Sequence, residues 1–176
     1  IGVTGVQTCA LPISVRVEPC RSPVWDTAIT LRALADARAL ESHATPASGP
    51  VSAGDGRLSE AVDWLLDREL RGRGDWSRSA VGVAPSGWCF QYANRFYPDV
   101  DDTAMVLIAL AGWRSAVAGA ASADPSMQER LRRIDAAVPR AIAWLEAMQS
   151  GDGGWGAFDR DNNLELLCKV PDRKST

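Results

Sequence analysis

Histidine is nearly absent from this 176-residue chain, with His43 the one residue of its type. The four cysteines, Cys9, Cys20, Cys89 and Cys168, form no CxxC pair. A metal site built from Cys and His is therefore not expected. Nothing in the cysteine spacing calls for disulfides, which fits a reducing compartment. No apolar run reaches the roughly 18 residues that a membrane span requires. Basic residues are scattered and the net charge is −3, so no nucleic-acid partner is implied. The glycine-rich stretch GDGGWG lacks the Lys and Ser/Thr of a nucleotide-binding loop.

The two ends read as foreign to the rest. Residues 1–14, IGVTGVQTCALPIS, have no initiator Met and no basic region, so they are not a signal peptide. They resemble a translated sequencing-adapter tract, and residues 172–176 resemble the opening of another. The native stretch is then expected to be 15–171, a partial domain cut at both ends.

Tryptophan is what the chain has in excess: seven, against three Phe and two Tyr. A Trp-rich helical core and an aromatic-lined cavity both account for that. Four helices are predicted. The first follows Ser22 as cap and Pro23 in the first turn, with Ile29, Leu31, Leu34, Ala37 and Leu40 at helical spacing. The second covers 58–70, with Val62, Leu65, Leu66 and Leu70 on one side. The third starts near Asp101 and weakens after Trp113; the fourth spans Met127–Met148 with a break expected at Pro139. Between the second and third lies a loop dense in aromatics, including Trp88, Phe90 and Tyr97, which should line or plug something. Trp64, Trp113 and Trp144, on helices, read as packing residues.

The helices repeat. VWDTAITLRALA at Val24–Ala35 and VDDTAMVLIALA at Val100–Ala111 share eight of twelve residues at an offset of 76. AVDWLL at Ala61 and AIAWLE at Ala141 echo at an offset of 80, each followed by a Gly–Trp turn. A repeated helix pair points to an all-α fold, a fragment of an α/α toroid or solenoid.

Three carboxylates, Asp99, Asp101 and Asp102, stand within four residues at the start of the third helix. Capping needs one, and capping alone predicts lowered pKa values. Like charges this close resist full ionisation, so one of them can hold a proton near neutral pH. Beside an aromatic loop, that makes a Brønsted acid facing an apolar cavity. Olefin protonation needs such an acid, the exclusion of water, and rings that tolerate carbocations. The spacing is not that of a Mg²⁺-diphosphate site.

The segments GWCFQYANRFYPDVDDTA, PCRSPVWDTA and WLEAMQSGDGGWGAFD resemble the squalene-hopene cyclase family of class II triterpene cyclases, over Val15–Pro171. The resemblance implies two α/α barrels, with the acid in the one entered here. It implies that Asp101 gives its proton to the terminal double bond of squalene or a related polyprenyl substrate, with Asp99 and Asp102 polarising and orienting it. Trp25 and Phe90 would line the cavity and stabilise cations; Trp88 and Tyr97 are further candidates for the cavity wall. Gln149 and Trp155 match the family's structural Gln–Trp repeats, which tie neighbouring helices together. The earlier copy has Trp76 but carries Glu69 where the Gln would stand. No metal or organic cofactor is implied. The parent would sit on the cytoplasmic side of a membrane, peripheral or monotopic in one leaflet, and a homodimer is compatible with it. Lys169 stands near where the family's pattern has an acid-supporting histidine, and Glu165 where a further acidic residue is expected, so both are candidate modulators.

Two other readings fit the residues: a class II cyclase for a shorter prenyl chain or its diphosphate, and a non-catalytic helical-repeat binding protein. The 176 residues alone, lacking the opposite cavity wall, are expected to be inactive.

Overall fold

A computed structural model describes residues 22–44 (side chains through 40), 56–90, 96–117 and 124–161. Helix α1 is Pro23–Ala44, α2 is Gly56–Leu66, α3 is Val100–Val117 and α4 is Pro125–Ala147. A 3₁₀ turn, Asp75–Arg78, follows α2. Helices α1 and α3 lie side by side; α2 packs on α1, α4 on α3, and α2 on α4. The two repeats thus stack as two layers, α1/α3 and α2/α4.

Helices α1 and α4 begin where the sequence provides a cap. Ser22 Oγ accepts the amide N–H of Trp25 at 3.0 Å, ahead of Pro23. Asp124 accepts the Ser126 amide at 2.9 Å, ahead of Pro125. That cap starts α4 two residues earlier than Met127. Helix α4 then passes through Pro139 without a break. Pro139 is exposed, so the lost backbone bond faces water, while Ile134, Ala137, Ala141 and Trp144 stay buried on the opposite face. Helix α3 continues past Trp113 because Val117 is buried in the core.

Two expectations need correction. Helix α2 ends at Leu66 rather than at residue 70, because the Leu70 amide turns away to donate to Gly87 O at 2.8 Å. On α1, the buried face is Val24, Ala28, Leu31 and Ala35, not the wider stripe of large side chains. Ile29, Leu34 and Leu40 are exposed, as is Ile108 on α3. Both helices of this layer are therefore apolar on more than one side, the pattern of helices buried from several directions.

The main core joins all four helices and includes Trp88 and Trp113. A second cluster holds Trp76, Ala80, Trp144 and Met148. There Trp76 meets Trp144 edge to face, with ring centroids 5.9 Å apart. Trp64 is half-buried, with the Arg68 guanidinium 3.5 Å above its ring.

The α2/α4 layer is laced by charge. Arg130 makes a two-pronged bond to Asp63 at 2.7 and 3.0 Å, and Arg133 reaches Asp63 at 3.3 Å and also Asp67. Arg140 grips Glu69 at 2.7 and 3.1 Å. Such bidentate pairs fix helix register as well as attracting.

The loop before α3 crosses the helix layer at one crowded point. Gly87 has φ +112°, and a Cβ there would lie 2.9 Å from Thr103 Oγ1 and 3.0 Å from Pro98 Cβ. Gly82 also has positive φ, +84°, but nothing lies within 4 Å of its Cβ position. Gly87→Ala should therefore cost about 1–3 kcal/mol more than Gly82→Ala, the size of an overpacking penalty. Urea unfolding of both variants checks this, and equal losses would contradict the crowding.

Candidate active site

The acidic segment is held from four directions before any chemistry is considered. Asp99 N–H donates to Trp88 O at 2.7 Å, forming an isolated antiparallel bridge. Trp88 N–H donates to Thr103 Oγ1 at 2.9 Å, so this hydroxyl reaches across to the loop rather than bonding locally. Val100 N–H donates to Ala157 O, from the turn after α4, at 2.9 Å. Tyr97 Oη donates to Asp75, on the 3₁₀ turn, at 2.7 Å. From α1, Ser22 Oγ donates to Asp102 Oδ1 at 3.0 Å.

These tethers place the three carboxyls in three environments. Asp99 caps α3: its Oδ1 accepts the Asp101 amide at 3.0 Å, yet its residue is only 4 % exposed. Asp102 is 1 % exposed; Ser22 satisfies one oxygen, and Oδ2 has no hydrogen-bond partner among the described residues. Asp101 is exposed. Burial pushes the Asp99 carboxyl up to about 7, helped by the neighbouring carboxyls of Asp101 and Asp102. Burial raises Asp102 to about 6; the Ser22 bond opposes this, and the charges of Asp101 and Asp26 add to it. The neighbouring Cys89 thiol is pushed up to about 11 by burial. A carboxyl that served only as a helix cap would be held low. These two are held high, so the arrangement stores a proton beside the exposed Asp101.

The aromatic candidates divide. Trp25 is half-buried in the first turn of α1, three residues from the Ser22 that bonds Asp102. Phe90 is half-buried just beyond Cys89. Trp88 is completely buried, and its indole N–H donates to Leu65 O at 2.7 Å. Its ring belongs to the main core, with the carbonyl near the end of α2 as its polar partner. Tyr97 points its hydroxyl at Asp75 rather than at the acids. A cleft of about 580 Å³ is lined by residues 67–72, Cys89 and Phe96, but by none of the three aspartates.

The Gly–Trp turns differ from one another. After α4, Gln149 donates to Gly153 O and the Trp155 indole to Leu145 O, both at 2.8 Å. Both bonds close the end of their own helix. After α2, the carbonyl in register, Leu65 O, is taken by Trp88, and Trp76 swings inward against Trp144 with its indole nitrogen unpartnered among the described residues. Here it is Glu69, at the Gln position, that ties neighbouring helices, through Arg140. Glu165 and Lys169 lie outside the described residues.

Sequence reading missed three participants. Ser22 was legible as a cap but not as the partner of Asp102, 80 residues away. The repeat offset was the available signal, since adjacent copies set their helix starts side by side. Asp75 and Arg140 had no local signal. Among the described residues no group of His, Cys, Asp and Glu has the geometry to hold a metal ion.

The raised carboxyls fix the sign of a pH effect. Each is protonated more readily in the folded chain than in the unfolded one, so its contribution is greatest below about pH 4 and is lost as pH rises through 6 to 7. Wild-type stability should fall from pH 5 to pH 8. Asp99→Asn and Asp102→Asn should each flatten that fall and stabilise the pH 8 form by on the order of 2 kcal/mol. Thermal unfolding at the two pH values measures it; a wild type whose stability rises over this interval would contradict the burial argument.

Residues 21–174 match the family described as squalene-hopene cyclase C-terminal domain. Among curated proteins, the chain is 40 % identical over 161 residues to the squalene–hopene cyclase of Bradyrhizobium diazoefficiens, covering 88 % of this chain and 20 % of that protein. It is 37 % identical over 150 residues to the squalene–hopene cyclase of Alicyclobacillus acidocaldarius, covering 85 % of this chain and 20 % of that protein. It is 40 % identical over 156 residues to the enfumafungin synthase of Hormonema carpetanum, covering 88 % of this chain and 10 % of that protein. The chain thus spans a fifth or less of the length of these relatives. With its paired helical repeats and its acid-bearing helix start, the chain belongs to the squalene-hopene cyclase family.

Proposed function

We propose that this chain is the acid-bearing segment of a class II triterpene cyclase acting on squalene or a related polyprene. The observation that carries the reading is the pairing of an exposed Asp101 with a buried Asp99 whose carboxyl is held up to about 7. Asp101 delivers its proton to the less substituted carbon of the terminal double bond, leaving a tertiary cation. Successive double bonds attack that cation and close rings, and loss of a proton ends the sequence, so the reaction is an isomerisation. Asp99 and Asp102 favour the protonated state of the cluster and orient it. Asp101 recovers its proton after each turnover, from water or through Asp99.

Trp25 and Phe90, each half-buried near the acidic segment, are assigned to the cavity wall, where a desolvated ring stabilises a cation by about 1–2 kcal/mol. The exposed apolar side chains of α1 and α3 support an α/α barrel in which these two helices form the inner wall and α2 and α4 the outer. A hopanoid-type pentacycle is the product class assigned. Attachment to one membrane leaflet belongs to the same reading; among the described residues no helix is long and apolar enough to cross a membrane.

In the full-length protein, Asp101→Asn should lower cyclisation at least about 10³-fold, within the range for a lost general acid, while thermal unfolding stays near wild type. Product analysis by gas chromatography reads this out. Turnover retained by Asp101→Asn would overturn the assignment and favour a binding role.

A further inference from the structure

Just past the end of α2 stands a residue that breaks the pattern of its repeat, and the break is occupied. Glu69 carries a charge where the Gln–Trp copy after α4 carries the amide of Gln149. Its side chain is 8 % exposed, so the charge must be matched. Arg140 of α4 matches it with two bonds, at 2.7 and 3.1 Å, and Arg71 lies 3.5 Å away. One of its oxygens also accepts the hydroxyl of buried Ser86 at 2.7 Å.

Ser86 opens the strip that holds the acid. Gly87 O accepts the Leu70 amide at 2.8 Å, and Trp88 is pinned by its indole to Leu65 O. On its other edge the same strip bonds Asp99 N–H and Thr103 Oγ1. Three consecutive residues are thus fixed to Glu69, Leu70 and Leu65 on one side, and the last of them, Trp88, to the start of α3 on the other. A shift of the strip would move the backbone of Asp99 directly and admit water to its carboxyl.

We propose that Glu69 and Arg140, acting through Ser86, are positioning residues that hold the 86–88 strip against Asp99 and so keep the acid pair buried. They touch no substrate. The inference rests on the cyclase reading for its catalytic consequence, but not for its structural one. A neutral Gln at position 69 would still accept from Ser86 and Arg140, whereas Ala would leave both donors unpaired.

Backbone amide exchange separates this from a general loss of stability. The variants are Glu69→Ala, Glu69→Gln and Ser86→Ala, with Arg114→Ala as control, since Arg114 bonds Asp135 across α3 and α4 on the exposed surface. Glu69→Ala should speed exchange at Leu70, Trp88 and Asp99 by about tenfold or more relative to the rest of α3 and α4. Ser86→Ala should give the same local pattern at smaller amplitude, Glu69→Gln should return to within a few-fold of wild type, and Arg114→Ala should show no local pattern. In the full-length protein Glu69→Ala should lower kcat with KM unchanged, and Glu69→Gln should rescue it. Exchange that rises uniformly, or no faster at Trp88 and Asp99 than in Arg114→Ala, would overturn the proposal. If Glu69→Ala does not fold, Ser86→Ala decides, because removing one hydroxyl leaves the ion pair intact. Exchange needs no substrate, so a failed cyclase reading leaves this result standing, and a failed clamp leaves the Asp101 assignment untouched.

Discussion

The bond from Asp99 N–H to Trp88 O organises the region around the acid. It fixes where α3 begins, because the same residue that pairs with the loop also caps the helix through its side chain. It fixes the loop, because Trp88 is anchored in the core at its other end. Through the loop it reaches α2, and through Thr103 it returns to α3. With the backbone of Asp99 held on both sides, its carboxyl stays largely withdrawn from water. The elevated pKa is then a consequence of topology: the chain closes over the group before electrostatics is considered.

Such an arrangement is costly. A buried carboxyl is poorly solvated in its charged form, and two of them within four residues compound the cost. A half-satisfied Asp102 adds to it. The fold offsets this with features that are otherwise more than a helix pair needs: the Trp-rich core, the tight passage at Gly87, and the bidentate ion pairs between α2 and α4. Stability concentrated around a strained or unfavourable group is common where that group does chemistry. The asymmetry of the two Gly–Trp turns fits the same picture. Beside the acid loop the end of α2 gives up a carbonyl to Trp88 and the turn after it sends Trp76 to the interior, while the other turn closes on itself and lends Ala157 O to α3.

Much of this was legible in the sequence because it is local. The cap at Ser22, the apolar period of α2 and the 76-residue repeat all act over short spans or recur in register, whereas the Asp124 cap that starts α4 ahead of Met127 was missed. The acidic triplet was legible for the same reason. Which of the three are buried was not, since burial depends on what crosses above. Asp99 and Asp102 are enclosed by residues 11 and 80 positions away, and no periodicity encodes that. The α1 stripe misled for a related reason. Large side chains suggest burial, yet the buried face of α1 includes the small Ala28 and Ala35 while Leu34 and Leu40 are exposed. For Trp88 the long-range partner is the carbonyl of Leu65, 23 residues away, which no local pattern encodes.

Direct titration of the two buried carboxyls tests the central claim most closely. Carbon-13 NMR of the side-chain carboxyl resonances of Asp99 and Asp102, followed from pH 3 to pH 9, reads each protonation without reference to any substrate. Midpoints near 7 for Asp99 and near 6 for Asp102 are the predicted result. Both groups titrating near 4, with the carboxylates fully formed at neutral pH, would contradict the account of a proton stored at the start of α3.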